Sequence, residues 1–402
     1  MLDFPNPPAP KSVHRIAEID ILRGFALFGI LITNAVVAVV QWAPDRADST
    51  GDRVILATVE ALFSARFYPL FAFLFGYAFT LQVTAATRAG AAPAARSLRR
   101  CAALMAVGLA HVFFLWDGDI LTLYAALSLV LIAMRTLGPR SAALAGTALA
   151  LIGAIGSVAP ALSFGDGLRI PDVGAAYTGT GGETFAAQLA LAPTALLLVW
   201  SAGAVPTLAM MLLGMAAGKR NLLEQSNAVR IGAVRILVVG LCAGLPVSAL
   251  TFAAALGWWT PPPLLAGIQA LVNPLMTFAY LAAVLLAARS VRLGHYCAVL
   301  APAGRMAASN YIGQSVVLMV VYTGYGFAFA DDVSLATVIA VGVVTFAAQL
   351  GLSARWLRAH PYGPVEWFLR ATTYWAAPAR CRPVSVGGVR QAVELRPPAV
   401  ET

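Results

Sequence analysis

Ten apolar runs succeed one another along the 402-residue chain, most of them separated by short charged or proline-bearing loops. A helix that crosses a bilayer needs about 20 apolar residues, and no water-soluble core absorbs so many such runs. Hydrophobic residues make up 60% of the chain and charged residues 11%, where soluble domains carry about 25% charged. The expected fold is all-α: a polytopic integral membrane protein with about ten crossings. They are predicted at Ile21 to Trp42, Leu70 to Thr84, Leu98 to Trp116, Ile120 to Met134, Ser141 to Ala161, Ala187 to Ala217, Ile236 to Leu256, Leu264 to Ala287, Ala308 to Ala330 and Val333 to Leu352. Val54 to Ala65 is short and stops at Tyr68-Pro69, so it is expected as an interfacial or re-entrant helix. The sixth run is overlong and holds Pro193 and Pro206, residues that kink a span or mark where it lines a cavity.

Charge orients these crossings. With the N-terminus inside and the loops alternating, 22 of the 27 Lys and Arg fall on the inner side. The outer loops then hold Asp45, Asp48, Asp52, Asp117, Asp119, Asp166, Asp172, Glu183, Asp331 and Asp332. An even number of crossings with both termini in the cytoplasm follows. Residues 1–19 are expected as a cytoplasmic segment, 20–358 as the helical membrane domain, and 359–402 as a cytoplasmic basic tail. Met1 to Ile19 lacks an apolar core ending in a cleavage site, so no removable signal peptide is expected and the first crossing is the anchor.

The same distribution explains the net charge of +9 without nucleic acid, because no basic, aromatic-interleaved platform is present. Cys101, Cys242, Cys297 and Cys381 show no CxxC spacing, so neither a zinc site nor a disulfide framework is expected. The GxSxG, P-loop, dinucleotide and HExxH patterns are absent, which leaves hydrolase, ATPase and zinc-protease readings without support. What stands out is His111, the one histidine of four inside a long apolar run. An ionisable ring at membrane depth is costly and by default marks a functional site.

Five stretches in order resemble the YeiB-like family of bacterial membrane proteins, domain-of-unknown-function family 418. They are Arg15 to Ile30 (RIAEIDILRGFALFGI) with Asn34; Leu70 to Tyr77 (LFAFLFGY); Gly108 to His111 with Trp116 to Leu121 and Tyr124; Gly304 to Tyr311 (GRMAASNY) with Gln314-Ser315; and Tyr362 to Trp367 (YGPVEW) with Arg370. The family's first-helix pattern is similar to that of transmembrane acyltransferases, including heparan-α-glucosaminide N-acetyltransferase-like proteins. The resemblance implies transfer of an acyl group from cytoplasmic acyl-CoA, as co-substrate, to an acceptor reached from outside. It also implies a histidine acting as base or acyl relay, with no metal.

Against that background each candidate carries two readings. His111 lies roughly 20 Å from the inner end of its run at 1.5 Å per residue, a few residues below Asp117 and Asp119. As a class, imidazoles exchange protons near neutral pH, and Asp119 is the nearest carboxylate to fix the ring's tautomer; a structural histidine bonded to another helix is the alternative. Asn34 reaches the same depth and can hold a carbonyl oxygen as charge develops, or simply bond between helices. Arg66 is expected near the outer surface, holding an acceptor or snorkelling to headgroups. Asp20 and Arg23 are three apart on one helix face, which suits a local ion pair. Arg23, Arg99, Arg100, Lys219 and Arg305 suit the phosphates of coenzyme A or plain topology determination. Asn310, Tyr311 and Gln314 share about one turn and suit either a polar tunnel wall or an inter-helix cluster; with Arg66 and Tyr124 they form the substrate-binding set. Glu366, Trp367 and Arg370 read as an interfacial amphipathic segment.

The acceptor stays open among a sugar, a lipid-linked glycan and a secondary metabolite. The rival function is a small-molecule transporter in which Pro193, Pro206 and the polar turn at the start of the ninth run line the path and His111 relays protons. A non-catalytic scaffold is a third, and leaves His111 unexplained.

Overall fold

The computed structural model describes residues 17–42, 49–158, 174–224 and 227–376. Lys11, His14, Arg15, Asp45, Asp48, Asp166, Asp172 and Cys381 lie outside the described residues. Within them the chain is helical, with no strand: α1 (Ala17–Trp42), α2 (Thr50–Leu62), α3 (Phe67–Arg88), α4 (Pro93–Phe114), α5 (Leu121–Ala133), α6 (Pro139–Gly156), α7 (Gly174–Tyr177), α8 (Gly181–Lys219), α9 (Asn227–Ala255), α10 (Leu264–Ala288), α11 (Gly294–Ala298), α12 (Ala301–Arg305), α13 (Ala307–Tyr322), α14 (Leu335–Ala359) and α15 (Pro364–Tyr374). This is an all-α polytopic membrane protein.

Helices stand at all ten expected positions, but they are not ten equal crossings. Among the described residues, eight stretches are long and apolar enough to cross a membrane. The 13 residues of α5 and the 16 of α13 extend about 20 and 24 Å, short of a hydrocarbon core of about 30 Å. The ninth run, expected to continue to Ala330, stops at Tyr322 because Thr323 is extended and the chain folds back through Gly324 and Gly326. Ala328 takes a left-handed conformation there, and a 3₁₀ turn at Phe329–Asp331 follows. Tyr68-Pro69 does not end a helix. Pro69 sits in the first turn of α3, where proline's missing N–H has no intrahelical partner to lose.

α1 is the central post. Its neighbours include α3, α10, α12, α13 and α14, and Leu22, Leu27, Ile30 and Leu31 are fully buried. That is why its sequence is apolar on every side rather than along one stripe. At its start Asp20 and Arg23 form the expected ion pair, 3.9 Å apart. α2 is fixed at its beginning by Ser49, whose hydroxyl accepts from the Asp52 backbone, while Asp52 Oδ1 accepts from the Leu335 backbone N–H at the head of α14. The segment beyond residue 358 includes a docked element: α15 packs on α4 and α13.

One close helix approach is α3 on α8. A Cβ on Gly76 would meet the Met211 carbonyl, and one on Gly214 would meet the Phe73 carbonyl. Without a hydrophobic force between helices in lipid, such small-residue contacts hold a bundle together. We expect Gly76→Ala or Gly214→Ala to destabilise the detergent-solubilised protein by about 1–3 kcal/mol. Gly351→Ala, at a helical site with open space around it, is expected to be neutral or to stabilise by up to about 1 kcal/mol. Thermal melts of the three variants check this.

Candidate functional site

His111 owes its position to the way α4 ends. Its carbonyl receives both closing N–H bonds, from Leu115 and Trp116, and the chain then turns through Asp117-Gly118-Asp119 into α5. The turn brings Asp119 back over the ring. Its Oδ2 accepts from the Thr122 N–H at 2.7 Å in the first turn of α5, where a carboxylate is favoured by the unpaired amides and the helix dipole. Its Oδ1 lies 3.0 Å from His111 Nδ1. On the ring's other side, His111 Nε2 is 2.8 Å from Ser315 Oγ on α13. His111, Asp119 and Ser315 are 1%, 0% and 2% exposed. With Asp119 ionised and the imidazole neutral, Nδ1 carries the proton and Nε2 accepts from the serine hydroxyl.

Tyr311 lies one turn before Ser315, its ring centroid 5.1 Å from that of His111 and its hydroxyl donating to the Gly118 carbonyl at 3.2 Å. On the far side of Tyr311 a cavity of about 290 Å³ begins. Its inner end is walled by Phe71, Phe75, Ile120, Tyr124 and Tyr311, and its other end by Arg23, Arg96, Arg100, Arg305 and Arg370. From Phe71 to Ala86, both lining residues on α3, the helix rises about 22 Å. Among the described residues Glu366 is the sole acid of that lining, and its charge is committed to the head of α13: it accepts from Ala308 N–H at 2.7 Å, Ser309 N–H at 3.2 Å and the Ser309 hydroxyl. Arg370 is held over the rings of Tyr362 and Tyr374, 4.9 and 4.8 Å from their centroids. Five guanidiniums around a half-closed, aromatic-floored cavity make an anion site with an apolar interior.

The predicted residues fall into two groups. His111 and Asp119 are joined directly, while Arg23, Arg100, Arg305, Tyr124 and Tyr311 line the one cavity. Asn34 belongs to its inner wall by one step, since Tyr68 donates to Asn34 Oδ1 and the Tyr68 carbonyl accepts from Tyr124. The rest lie elsewhere. Arg99, about 100° round the helix from Arg100, turns toward the Trp375 ring instead. Lys219 donates to the Arg135 and Leu137 carbonyls that follow α5. Arg66 is not at a surface: it is 4% exposed, donates to the Ser64 carbonyl and to Ser248 Oγ, and its own carbonyl accepts from Thr277. Asn310 and Gln314 bond to Ser353 and Gln349 of α14, so they knit helices and do not wall the cavity. Pro193 and Pro206 lie exposed on α8.

Ser315 and Arg96 carried no site role in the sequence, and Arg370 read there as part of an interfacial segment and not of a cavity wall. Arg96 and Arg100 are four apart on one helix face, a signal that was readable; Ser315 stood only in the Gln314-Ser315 stretch of the family resemblance, four residues after Tyr311. Asp117, on the α4–α5 turn, also went unassigned. Burial pushes its carboxyl above the usual range, opposed by the Gln41 amide, which donates to Oδ2 at 3.0 Å. The folded state therefore binds this proton more readily than the unfolded one, and stability rises as pH falls from the raised value toward the unfolded value near 4. Asp117→Asn is expected to raise the melting temperature at neutral pH, an advantage that fades in acid; melts across pH check it.

Residues 217–376 match the family described as "Protein of unknown function (DUF418)". That match takes in Tyr311, Ser315 and α15, while His111 lies before it. Relatives extend the likeness over about nine-tenths of the chain. The YxaH protein of Bacillus subtilis (strain 168) is 26% identical over 389 residues, covering 90% of this chain and 94% of its own. A 39.9 kDa protein in the amylase 3′ region of Bacillus acidopullulyticus is 26% identical over 385 residues, with coverages of 90% and 94%. YeiB of Escherichia coli (strain K12) is 25% identical over 394 residues, with coverages of 91% and 98%. With the family match in its C-terminal part and these relatives aligned along nine-tenths of its length, the chain is similar to the YeiB-like proteins and to the DUF418 family.

Proposed function

We propose that the protein is a multi-pass cell-membrane acyltransferase, taking an acyl group from cytoplasmic acyl-CoA and passing it to a hydroxyl or amine acceptor. The basic end of the bundle faces the cytoplasm by the positive-inside rule. One observation carries the reading: the arginine-lined cavity ends on Tyr311, whose other face touches the His111 ring. Arg23, Arg96, Arg100, Arg305 and Arg370 present planar donors suited to phosphates, and the aromatic interior suits the acyl-bearing arm. His111 serves as base, with Asp119 fixing its tautomer. Asn34 Oδ1 is engaged by Tyr68, so a thioester carbonyl is polarised by its amide N–H groups. The exposed prolines of α8 lie away from this cavity, which favours a donor site over a transport path through it.

The test is ligand-induced stabilisation of the purified protein. Acyl-CoA at 100 times its Kd is expected to stabilise it by about 2.7 kcal/mol, read as a rise in melting temperature, with CoA thiol released when acceptors are supplied. Absence of any shift with acyl-CoA or CoA, together with substrate-driven proton flux in liposomes, overturns the proposal.

A further inference from the structure

In a helix, a serine hydroxyl commonly donates to the carbonyl four residues back. Ser315 has that carbonyl, Tyr311 O, at 3.4 Å, but His111 Nε2 is nearer, at 2.8 Å. With the ring proton held on Nδ1 by Asp119, Nε2 is the nearer acceptor for that hydroxyl proton. The imidazole is in turn oriented by Asp119, and Asp119 is pinned by the head of α5. Nucleophile, base and orienting carboxylate stand in the order that activates serine hydroxyls on unrelated folds, recognisable by geometry even where no GxSxG pattern exists.

From this geometry we propose that Ser315 is the acyl-accepting nucleophile of the site, so that transfer proceeds through an acyl-serine enzyme. The proposal rests on the acyl-CoA reading for its donor. It does not rest on that reading for the nucleophile. Tyr311 lies about 6 Å before Ser315 along α13 and separates it from the cavity. Swinging that side chain off the Gly118 carbonyl joins the two. Ser315 Oγ then attacks the thioester carbonyl carbon as its proton passes to His111 Nε2. The C–S bond breaks, and the thiolate takes the proton from Nε2 and leaves as CoA thiol. In the second half the acceptor hydroxyl or amine loses a proton to Nε2 and attacks the serine ester. The C–Oγ bond breaks and Oγ regains the proton. No oxidant or further reactant is needed.

The experiment uses the full-length protein in detergent, exposed to acetyl- or octanoyl-CoA in one arm and to an alkyl fluorophosphonate in the other. Each is acid-quenched and digested, and the peptide carrying Ser315 is weighed. The expected result is an acyl or phosphonyl adduct on Ser315, lost in Ser315→Ala and in His111→Ala. Turnover in Ser315→Ala is expected to fall by about 10³-fold or more. Ser315→Cys keeps a nucleophile of similar size and is expected to hold the acyl group as a hydroxylamine-labile thioester, while gel filtration and melting confirm that both variants fold. If Ser315→Ala turns over acyl-CoA as fast as the wild type, the nucleophile is wrong and the acyltransferase reading stands. If fluorophosphonate labels Ser315 only when His111 is present, yet no acyl-CoA is consumed, the nucleophile stands and the donor falls. No adduct in either arm overturns the proposal.

Discussion

Replacing His111 by alanine is expected to lower kcat for acyl transfer by about 10²–10⁴-fold, with the affinity for acyl-CoA close to wild type. The separation follows from geometry: the ring is bonded to Asp119 and Ser315, whereas the cavity wall is formed by Tyr311 and the arginines. Alanine also leaves the Asp119 carboxylate with one partner fewer in a dry interior. Leaving a buried acceptor short of a hydrogen bond costs about 1–3 kcal/mol, and more when it is charged, so a lower melting temperature accompanies the loss. Two further variants divide chemistry from stability. His111→Gln keeps a donor for the carboxylate, and His111→Ala with Asp119→Asn removes the stranded charge. Both are expected to recover much of the stability and none of the rate. Recovery of the rate along with the stability would make His111 a packing residue.

Reversing the charge of the cavity mouth acts on the other parameter. Arg23→Glu with Arg100→Glu is expected to weaken acyl-CoA binding by at least about 10²-fold, since each hydrogen bond to a charged group contributes about 1.5–3 kcal/mol. The turnover of saturated enzyme should fall far less. Arg99→Glu supplies the control. It shares the helix and the charge with Arg100 but faces Trp375, so an equal loss there would mean that net charge, not the cavity, attracts the ligand. The wild type should lose affinity as salt rises, and dephospho-CoA should bind more weakly than CoA. Isothermal titration in detergent reads all four.

The two experiments probe the buried His111 cluster and the arginine-lined cavity, which lie on either side of Tyr311 on α13. Its head is capped by Glu366, its first turns present Tyr311 to the cavity, and its next turn presents Ser315 to His111. At 16 residues it is short for a crossing; its role is to hold these groups in register beside α1.

Sequence alone settled what local chemistry dictates. The apolar runs demand a bilayer, and His111 is conspicuous because a titratable ring in such a run is costly. The Asp20–Arg23 pair was legible for the same reason, being a matter of spacing on one helix. What the order of residues did not contain is which helix faces meet. His111 and Ser315 are 204 positions apart, and nothing local distinguishes Ser315 from a serine returning its proton to its own helix. Arg99 and Arg100 look alike as letters, and only the docking of α15 decides which one faces the cavity. Asn310 and Gln314 became an inter-helix cluster because α14 offers Ser353 and Gln349 opposite them. Elsewhere in the bundle, close backbone contacts such as Gly76 on Met211 join α3 to α8. In lipid the apolar effect does not choose partners, so shape and hydrogen bonding between helices choose them.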